Sequence, residues 1–254
     1  MLFWYRRQLK EHGAVEATRL LWRTARSRLS TRLANKFLRE KITCPCCGWN
    51  GRRFYDYIEV GYTIPRAACP RCDSHARHRT LYLWLEREYR LQNKSGVALV
   101  FAPERALAPT WDAATSVRAY RVDVAAARGV DLLADLQRLP ITSDAVDIIW
   151  CHHVLEHIED DLAAIRELYR VVRPGVGELI VSVPMEEGLK RTREYGFADP
   201  RESGHWRIYG DDFMDRLAAT GFSVQAVDYR VSAEEAARYG AASEKFLICR
   251  KATL

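Results

Sequence analysis

The sequence lacks long apolar runs, and it lacks glycine where a nucleotide-binding loop would want it. No stretch approaches the ~18–20 consecutive apolar residues that a bilayer-spanning helix requires. The start, MLFWYRRQLK, places Arg6 and Arg7 after only four apolar residues beyond Met1, too few for a signal-peptide core. A cytoplasmic protein is expected. The cysteines number seven, an odd count, and without a secretory signal a disulfide framework is not expected. Internal repeats and low-complexity tracts are absent too. What remains is a 254-residue chain, 48% hydrophobic and 28% charged, enough for one sizeable core and a smaller appendage.

The formal net charge of +6 is uneven. Residues 1–41 carry eleven Lys and Arg against three Glu, so the rest of the chain sums to about −2. In this arm Trp22, Ala25, Leu29, Leu33 and Phe37 recur at intervals of three and four, and Arg19, Arg23, Arg26, Arg28 and Arg32 fill most other faces. That period predicts a basic amphipathic helix. With Phe3, Trp4 and Tyr5 at its start, residues 1–38 suit peripheral contact with an anionic membrane surface. Docking of the stripe onto the following module accounts for it equally well, and attraction to RNA is a third reading.

Cys44 and Cys47 form one C-x-x-C pair and Cys69 and Cys72 another, with twenty-one residues between them. This is close to the spacing of a four-cysteine zinc site, and CPCCG and CPRCD both resemble zinc knuckles. Four thiolates leave zinc no open position, so a structural ion is expected. Cys46 should point away. His75 and His78 are rival ligands, but SHARHR reads as a polar helix start. Between the pairs, GRRFYDY mixes Arg52 and Arg53 with Phe54, Tyr55 and Tyr57, as base-stacking surfaces do.

From residue 97 the pattern alternates strand and helix. Strands are expected at 97–101, 117–124, 130–136, 145–151 and 177–184, with two more closing the chain. A helix over 161–172 puts Leu162, Ile165, Leu168, Tyr169 and Val172 on one face behind the N-terminal acids Asp160 and Asp161. A second helix, 211–222, stops at Gly221. The order predicts a doubly wound α/β sheet that finishes with an antiparallel strand. Ligands bind such sheets at the carboxyl ends of the strands. The expected division is a helical arm (1–41), a zinc module with its linking helix (42–90) and a Rossmann-like domain (91–254).

The segment LADLQRLPITSDAVDIIWCHHVLEHIEDDLAAIRELYRVVRPGVGELIVSVP (133–184) resembles the central part of class I S-adenosylmethionine-dependent methyltransferases of the type 11-like kind. FAPE, the CPRCDSHARHR element and HWRIYG further resemble a bacterial subfamily with a Cys-rich module ahead of that domain. The resemblance covers roughly 42–230. It implies a cofactor, S-adenosylmethionine, that carries no phosphate. A pyrophosphate needs a glycine cradle; this cofactor does not, so the turn after VALVF speaks against a dinucleotide. Phe101, Ala102 and Pro103 would leave room for the amino-acid part, with Glu104 facing its ammonium or serving as a first-turn helix acid. By the same resemblance Asp123 would accept the ribose hydroxyls, Asp135 and Leu136 would flank the adenine, and Cys151 and His152 would lie beside the methionine part. Asp147 and Glu156 would serve structure, as strand-start and helix-cap acids.

Methyl transfer from a sulfonium needs placement first and a base only where the acceptor must lose a proton. His205 and His153 are the candidate bases, with His157 reading as a helix–loop tie. Tyr195, Trp206 and Arg207 would line the acceptor pocket. The expected activity is methylation of a small-molecule or glycan-type acceptor. The alternatives are a ribosomal or transfer RNA methyltransferase that uses the zinc module to bind RNA, and a non-catalytic zinc-bearing interaction protein.

Overall fold

The computed structural model describes residues 2–253, apart from the side chains of Leu2, Phe3, Trp4, Arg7, Glu11 and Arg201. The expectation placed on Phe3 and Trp4 lies outside those described side chains. Contacts divide the chain into two compact units. One holds Met1–Tyr89, Arg105–Pro109 and Arg230–Glu244; the other holds Arg90–Glu104, Thr110–Tyr229 and Lys245–Leu254.

The first unit begins with α1 (Leu2–Phe37), interrupted at Gly13, whose φ of 77° takes the backbone out of the helix. Two short hairpins follow, β1 (Ile42–Thr43) with β2 (Asn50–Gly51) and β3 (Tyr55–Ile58) with β4 (Thr63–Ala68), then α2 (Ala76–Arg87). The apolar stripe foreseen on α1 does not dock. Trp22, Leu29 and Phe37 are 72%, 59% and 71% exposed. The helix packs through a different face, where Ala17, Leu20, Thr24 and Thr31 are buried. Ser27 Oγ donates to Asp56 (2.6 Å), Arg32 Nε to Tyr55 Oη (3.0 Å), and Asn35 Oδ1 accepts the backbone N–H groups of Arg52 and Arg53. Of these side chains Asn35 satisfies backbone groups of the hairpin segment, a contact that periodicity of apolar residues does not report.

The aromatics of the GRRFYDY loop are likewise engaged. Phe54 is buried beside Cys44, Cys46 and Cys69, under the Arg79 guanidinium at 4.1 Å. Tyr57 meets His75 edge to face. Phe54 is thus a core residue and not a free stacking platform.

The second unit is built on seven strands, in order β12-β13-β9-β8-β5-β6-β7. They are β5 (Gly96–Phe101), β6 (Val117–Asp123), β7 (Leu132–Leu133), β8 (Ile148–His152), β9 (Glu178–Ser182), β12 (Phe222–Tyr229) and β13 (Glu244–Lys251). The strands from β7 through β9 pair in parallel, and β13 runs antiparallel to β9. β5, β8 and β9 are continuous apolar runs because both sheet faces are covered. The helices in sequence are α3 (Ala108–Ala113), α4 (Asp161–Val171), α5 (Phe213–Ala219) and, in the first unit, α6 (Ala233–Tyr239).

Three details depart from expectation. β7 is far shorter than 130–136. On α4 Leu162 is exposed, while Asp161 is buried, hydrogen-bonded to Tyr209 Oη and to Arg216 at 2.9 Å each. The stretch around His205, to which the sequence pattern assigns no strand, is a hairpin, β10 (Arg193–Asp199) with β11 (His205–Ile208).

Candidate active site

The chain lays down β5, moves outward to β6 and β7, then returns to β8 on the other side of β5. This reversal opens a crevice at the carboxyl ends of β5 and β8, the place where open α/β sheets bind ligands. Two residues there hold left-handed backbone without being glycine: Ala102 after β5 (φ 45°) and His153 after β8 (φ 53°). Such conformations are disfavoured for L-residues and collect at functional sites. Ala102 is held by its N–H donating to the Val122 carbonyl at 2.9 Å. His153 is held by its N–H to the Ser182 carbonyl, also 2.9 Å.

A pocket of about 400 Å³ opens at this crevice. Its walls include Phe101, Ala102, Asp123, Asp135, Leu136 and His153, with His157 and Trp206 at one end. The volume suits a small cofactor. Asp123 ends β6 and accepts the Ala125 N–H at 3.0 Å, so the turn fixes its carboxylate. Asp135 is fixed likewise by the Gln137 N–H at 2.9 Å. The 135–141 loop is tied to α4: Glu167 accepts the Leu139 N–H at 2.7 Å, and Arg170 donates to the Leu139 and Ile141 carbonyls.

Not every expected residue joins this pocket. Pro103, Glu104 and Tyr195 are half-buried but do not form its walls. Cys151 is 0% exposed in the hydrophobic core, and burial raises its thiol pKa. Strand alternation explains this: Cys151 points into the layer packed against α4, and His152 points to the opposite face. His152 is itself buried, its Nδ1 hydrogen-bonded to Ser182 Oγ. Arg207 is no pocket wall either. It is 3% exposed, and its guanidinium bonds to Glu194 (2.8 Å) and to the carbonyls of Leu155, Ile158 and Glu159. It clamps the hairpin to the loop that follows β8.

Glu156 is not a helix-cap acid. It is 0% exposed, and one carboxylate oxygen lies 3.1 Å from His153 Nδ1. His157 and His205 stack edge to face beside it, ring centroids 4.7 Å apart. Burial holds the His205 imidazole below the ordinary histidine value. The sequence motif HHVLEH contained these groups, but nothing in it located His205, forty-eight residues further on, against them.

In the first unit the thiols of Cys44, Cys47, Cys69 and Cys72 converge, all four within 4.8 Å of one another. Cys44 and Cys47 come from the turn after β1, and Cys69 and Cys72 from the turn after β4. The Arg71 N–H points at Cys69 Sγ (3.4 Å), a knuckle feature. Cys46 turns aside, its thiol 3.7 Å from the His78 carbonyl. His78 Nδ1 accepts the His75 N–H, so these histidines shape the start of α2.

Comparison with known proteins gives the fold a relation. Residues 111–181 match the family described as "Methyltransferase domain". The 27-O-demethylrifamycin SV methyltransferase of Amycolatopsis mediterranei (strain S699) is 37% identical over 87 residues, 31% of this chain and 31% of that protein. The match thus spans about a third of the relative's length. Among solved structures, the [4+2]-cyclase SpnF superposes with a TM-score of 0.51 at 19% identity, covering 80% of this chain and 88% of its own. A SAM-dependent methyltransferase from Archaeoglobus fulgidus gives 0.50 at 12% identity, covering 68% and 94%. The seven-stranded sheet is that of the class I methyltransferase, Rossmann-like fold.

Proposed function

We propose that the protein is an S-adenosylmethionine-dependent methyltransferase acting on a small-molecule or glycan-type acceptor by in-line methyl transfer. The observation that carries this reading is the pocket at the β5/β8 crevice, where Ala102 makes the turn without a phosphate cradle and the Asp123 and Asp135 carboxylates stand at the ends of the next two strands. Asp123 would accept the ribose hydroxyls, Asp135 with Leu136 would hold the adenine, and Phe101 and Ala102 would receive the amino-acid end. When bound, the cofactor supplies an electrophilic methyl on a sulfonium. The carbon–sulfur bond breaks as the bond to the acceptor forms. The protein's part is alignment, exclusion of water and removal of the acceptor's proton. His153 would take that last role: its Nδ1 lies 3.1 Å from a Glu156 oxygen, its other ring nitrogen would meet the acceptor, and a carboxylate behind an imidazole stabilises the protonated form. Trp206 would face the acceptor.

The fold alone leaves the reaction open, since SpnF is a cyclase on the same framework. The small-molecule class draws support from the matched relative, which by its name methylates a rifamycin. An RNA acceptor is less well supported because Phe54 is buried and Arg32 and Asp56 tie the loop to α1. Calorimetric titration with S-adenosylhomocysteine and with NAD tests the cofactor reading. Micromolar binding of the first and none of the second is expected; the reverse would sink it.

The four-thiol group fits a structural zinc ion by donor chemistry: soft sulfur ligands, tetrahedral number and no vacancy for water. Arg79, 1% exposed in the same unit, brings a positive charge over Phe54, which is buried beside Cys44, Cys46 and Cys69.

The exposed Trp22–Leu29–Leu33–Phe37 stripe of α1, edged by arginines, favours peripheral contact with an anionic membrane surface. Co-sedimentation with anionic vesicles at low salt, lost on removal of residues 1–38 or on Trp22→Ala/Leu29→Ala, is expected. Equal sedimentation with neutral vesicles would refute the electrostatic part.

A further inference from the structure

Glu156 poses a problem that the methyl-transfer reading leaves unsolved. Its carboxylate is wholly buried, and an ionised carboxylate away from water is costly unless it is paired. One oxygen, Oε1, is met by His153 Nδ1. The other, Oε2, is buried and makes no hydrogen bond to any described residue. Beside the carboxylate stand two imidazoles from different parts of the chain, His157 on the same turn and His205 on β11. One ligand-capable atom from each of Glu156, His157 and His205 lies within 4.8 Å of the other two.

We propose that Glu156, His157 and His205 form a divalent-cation site, distinct from the four-cysteine group, at the mouth of the pocket. Two imidazole nitrogens and one carboxylate oxygen are a donor set for zinc, manganese or ferrous iron, and three ligands leave positions open for water or substrate. A tetrahedral ion with bonds near 2.0–2.1 Å wants its ligand atoms ~3.3 Å apart, and atoms already within 4.8 Å of one another have at most about 1.5 Å to close. The cation answers the orphaned Glu156 oxygen. His153, bonded to the other oxygen, fixes the carboxylate's orientation as an outer partner. The Arg207 clamp holds β11, and so His205, against the loop that carries the other two ligands.

Exposure sets which side is open. Glu156 is buried, whereas His157 is exposed and forms part of the pocket wall. The free coordination positions therefore face the pocket, where a hydroxyl or carboxylate oxygen of the acceptor would bind. Coordination would lower the pKa of such a hydroxyl and place it for His153 to deprotonate. This role rests on the methyltransferase reading; the binding of the ion does not.

The test uses full-length protein dialysed against Mn2+, an ion with little taste for thiolates. Bound Mn2+ is counted by electron paramagnetic resonance. One Mn2+ per chain is expected, with affinity at least tenfold weaker in His157→Ala and in His205→Ala, while both variants keep their melting behaviour. Glu156→Gln should abolish the site; because that change is in the core, the two histidine variants decide the matter. Absence of Mn2+ from the wild type, together with no zinc or iron beyond one ion in the four-cysteine group, overturns the proposal. Unchanged Mn2+ affinity in both histidine variants does so too. Failure to bind S-adenosylhomocysteine with Mn2+ binding intact would refute the methyltransferase reading alone.

Discussion

Arg207 Nη2 donates to the Glu159 carbonyl oxygen at 2.6 Å across forty-eight residues of chain, joining β11 to the loop that carries His153, Glu156 and His157. The guanidinium fork is what permits it, since three carbonyls and the Glu194 carboxylate are reached at once. Arg207→Ala leaves these buried acceptors unmet and should cost about 2–3 kcal/mol. Arg207→Lys keeps the charge but not the fork and should recover little. Denaturant midpoints of the three proteins decide it; a loss below about 1 kcal/mol in Arg207→Ala would show the clamp to be dispensable.

Ala102 sits at φ 45°, where an L-residue is strained by ~1–2 kcal/mol. Ala102→Gly should be neutral to slightly stabilising, because relief of strain is offset by greater freedom of the unfolded chain. Ala102→Val should destabilise by more than about 1 kcal/mol, since β-branched residues tolerate this region least. It also narrows the pocket, so S-adenosylhomocysteine affinity should drop at least tenfold in the valine variant and stay within twofold in the glycine one.

Cys69→Ser removes one of the four convergent thiols. Elemental analysis should return one zinc per wild-type chain and less than a tenth of that in the variant. The β1–β4 hairpins have a small apolar core, so loss of the ion should unfold them, visible as protease sensitivity within 42–75. Retention of full zinc in the variant would exclude this ligand set.

The Arg170 side chain, hydrogen-bonded to Glu167 at 2.7 Å, holds that carboxyl below its ordinary value of 4.5, and the Leu139 N–H adds to the effect. The folded-state pKa is depressed, so the stabilisation is complete above the unfolded value and is lost as pH falls through the folded one. Below about pH 4.5 the 135–141 loop should loosen. In Glu167→Gln the melting temperature should fall less steeply with acidification over that window than in the wild type. Parallel pH curves for the two proteins would contradict this.

Some of these features are local in the chain and some are not. The apolar runs at β5, β8 and β9 and the three-and-four spacing along α4 follow from the period with which a buried sheet and its covering helix repeat. The four cysteines converge because each C-x-x-C closes its own tight turn and only one pairing of two turns is available. Ala102, Asp123 and Asp135, at or just beyond strand ends, were legible because the carboxyl edge of a doubly wound sheet collects such residues in one place.

What the sequence could not decide is which side of an element meets its neighbour when polar atoms do the meeting. On α1 the face of Ala17, Leu20, Thr24 and Thr31 packs, and Ser27 and Asn35 hydrogen-bond to the hairpin segment, while Trp22, Leu29, Leu33 and Phe37 stay outside; those polar contacts are absent from any one-dimensional apolar pattern. Cys151 and His152 are adjacent in sequence, yet strand alternation sends one into the core and the other to Ser182. His205 reaches Glu156 and His157 only through a hairpin that Arg207 clamps to the loop after β8. Spacing along the chain determined the turns and the layers; the meeting of those three side chains depended on packing between distant segments, which only the tertiary structure supplied.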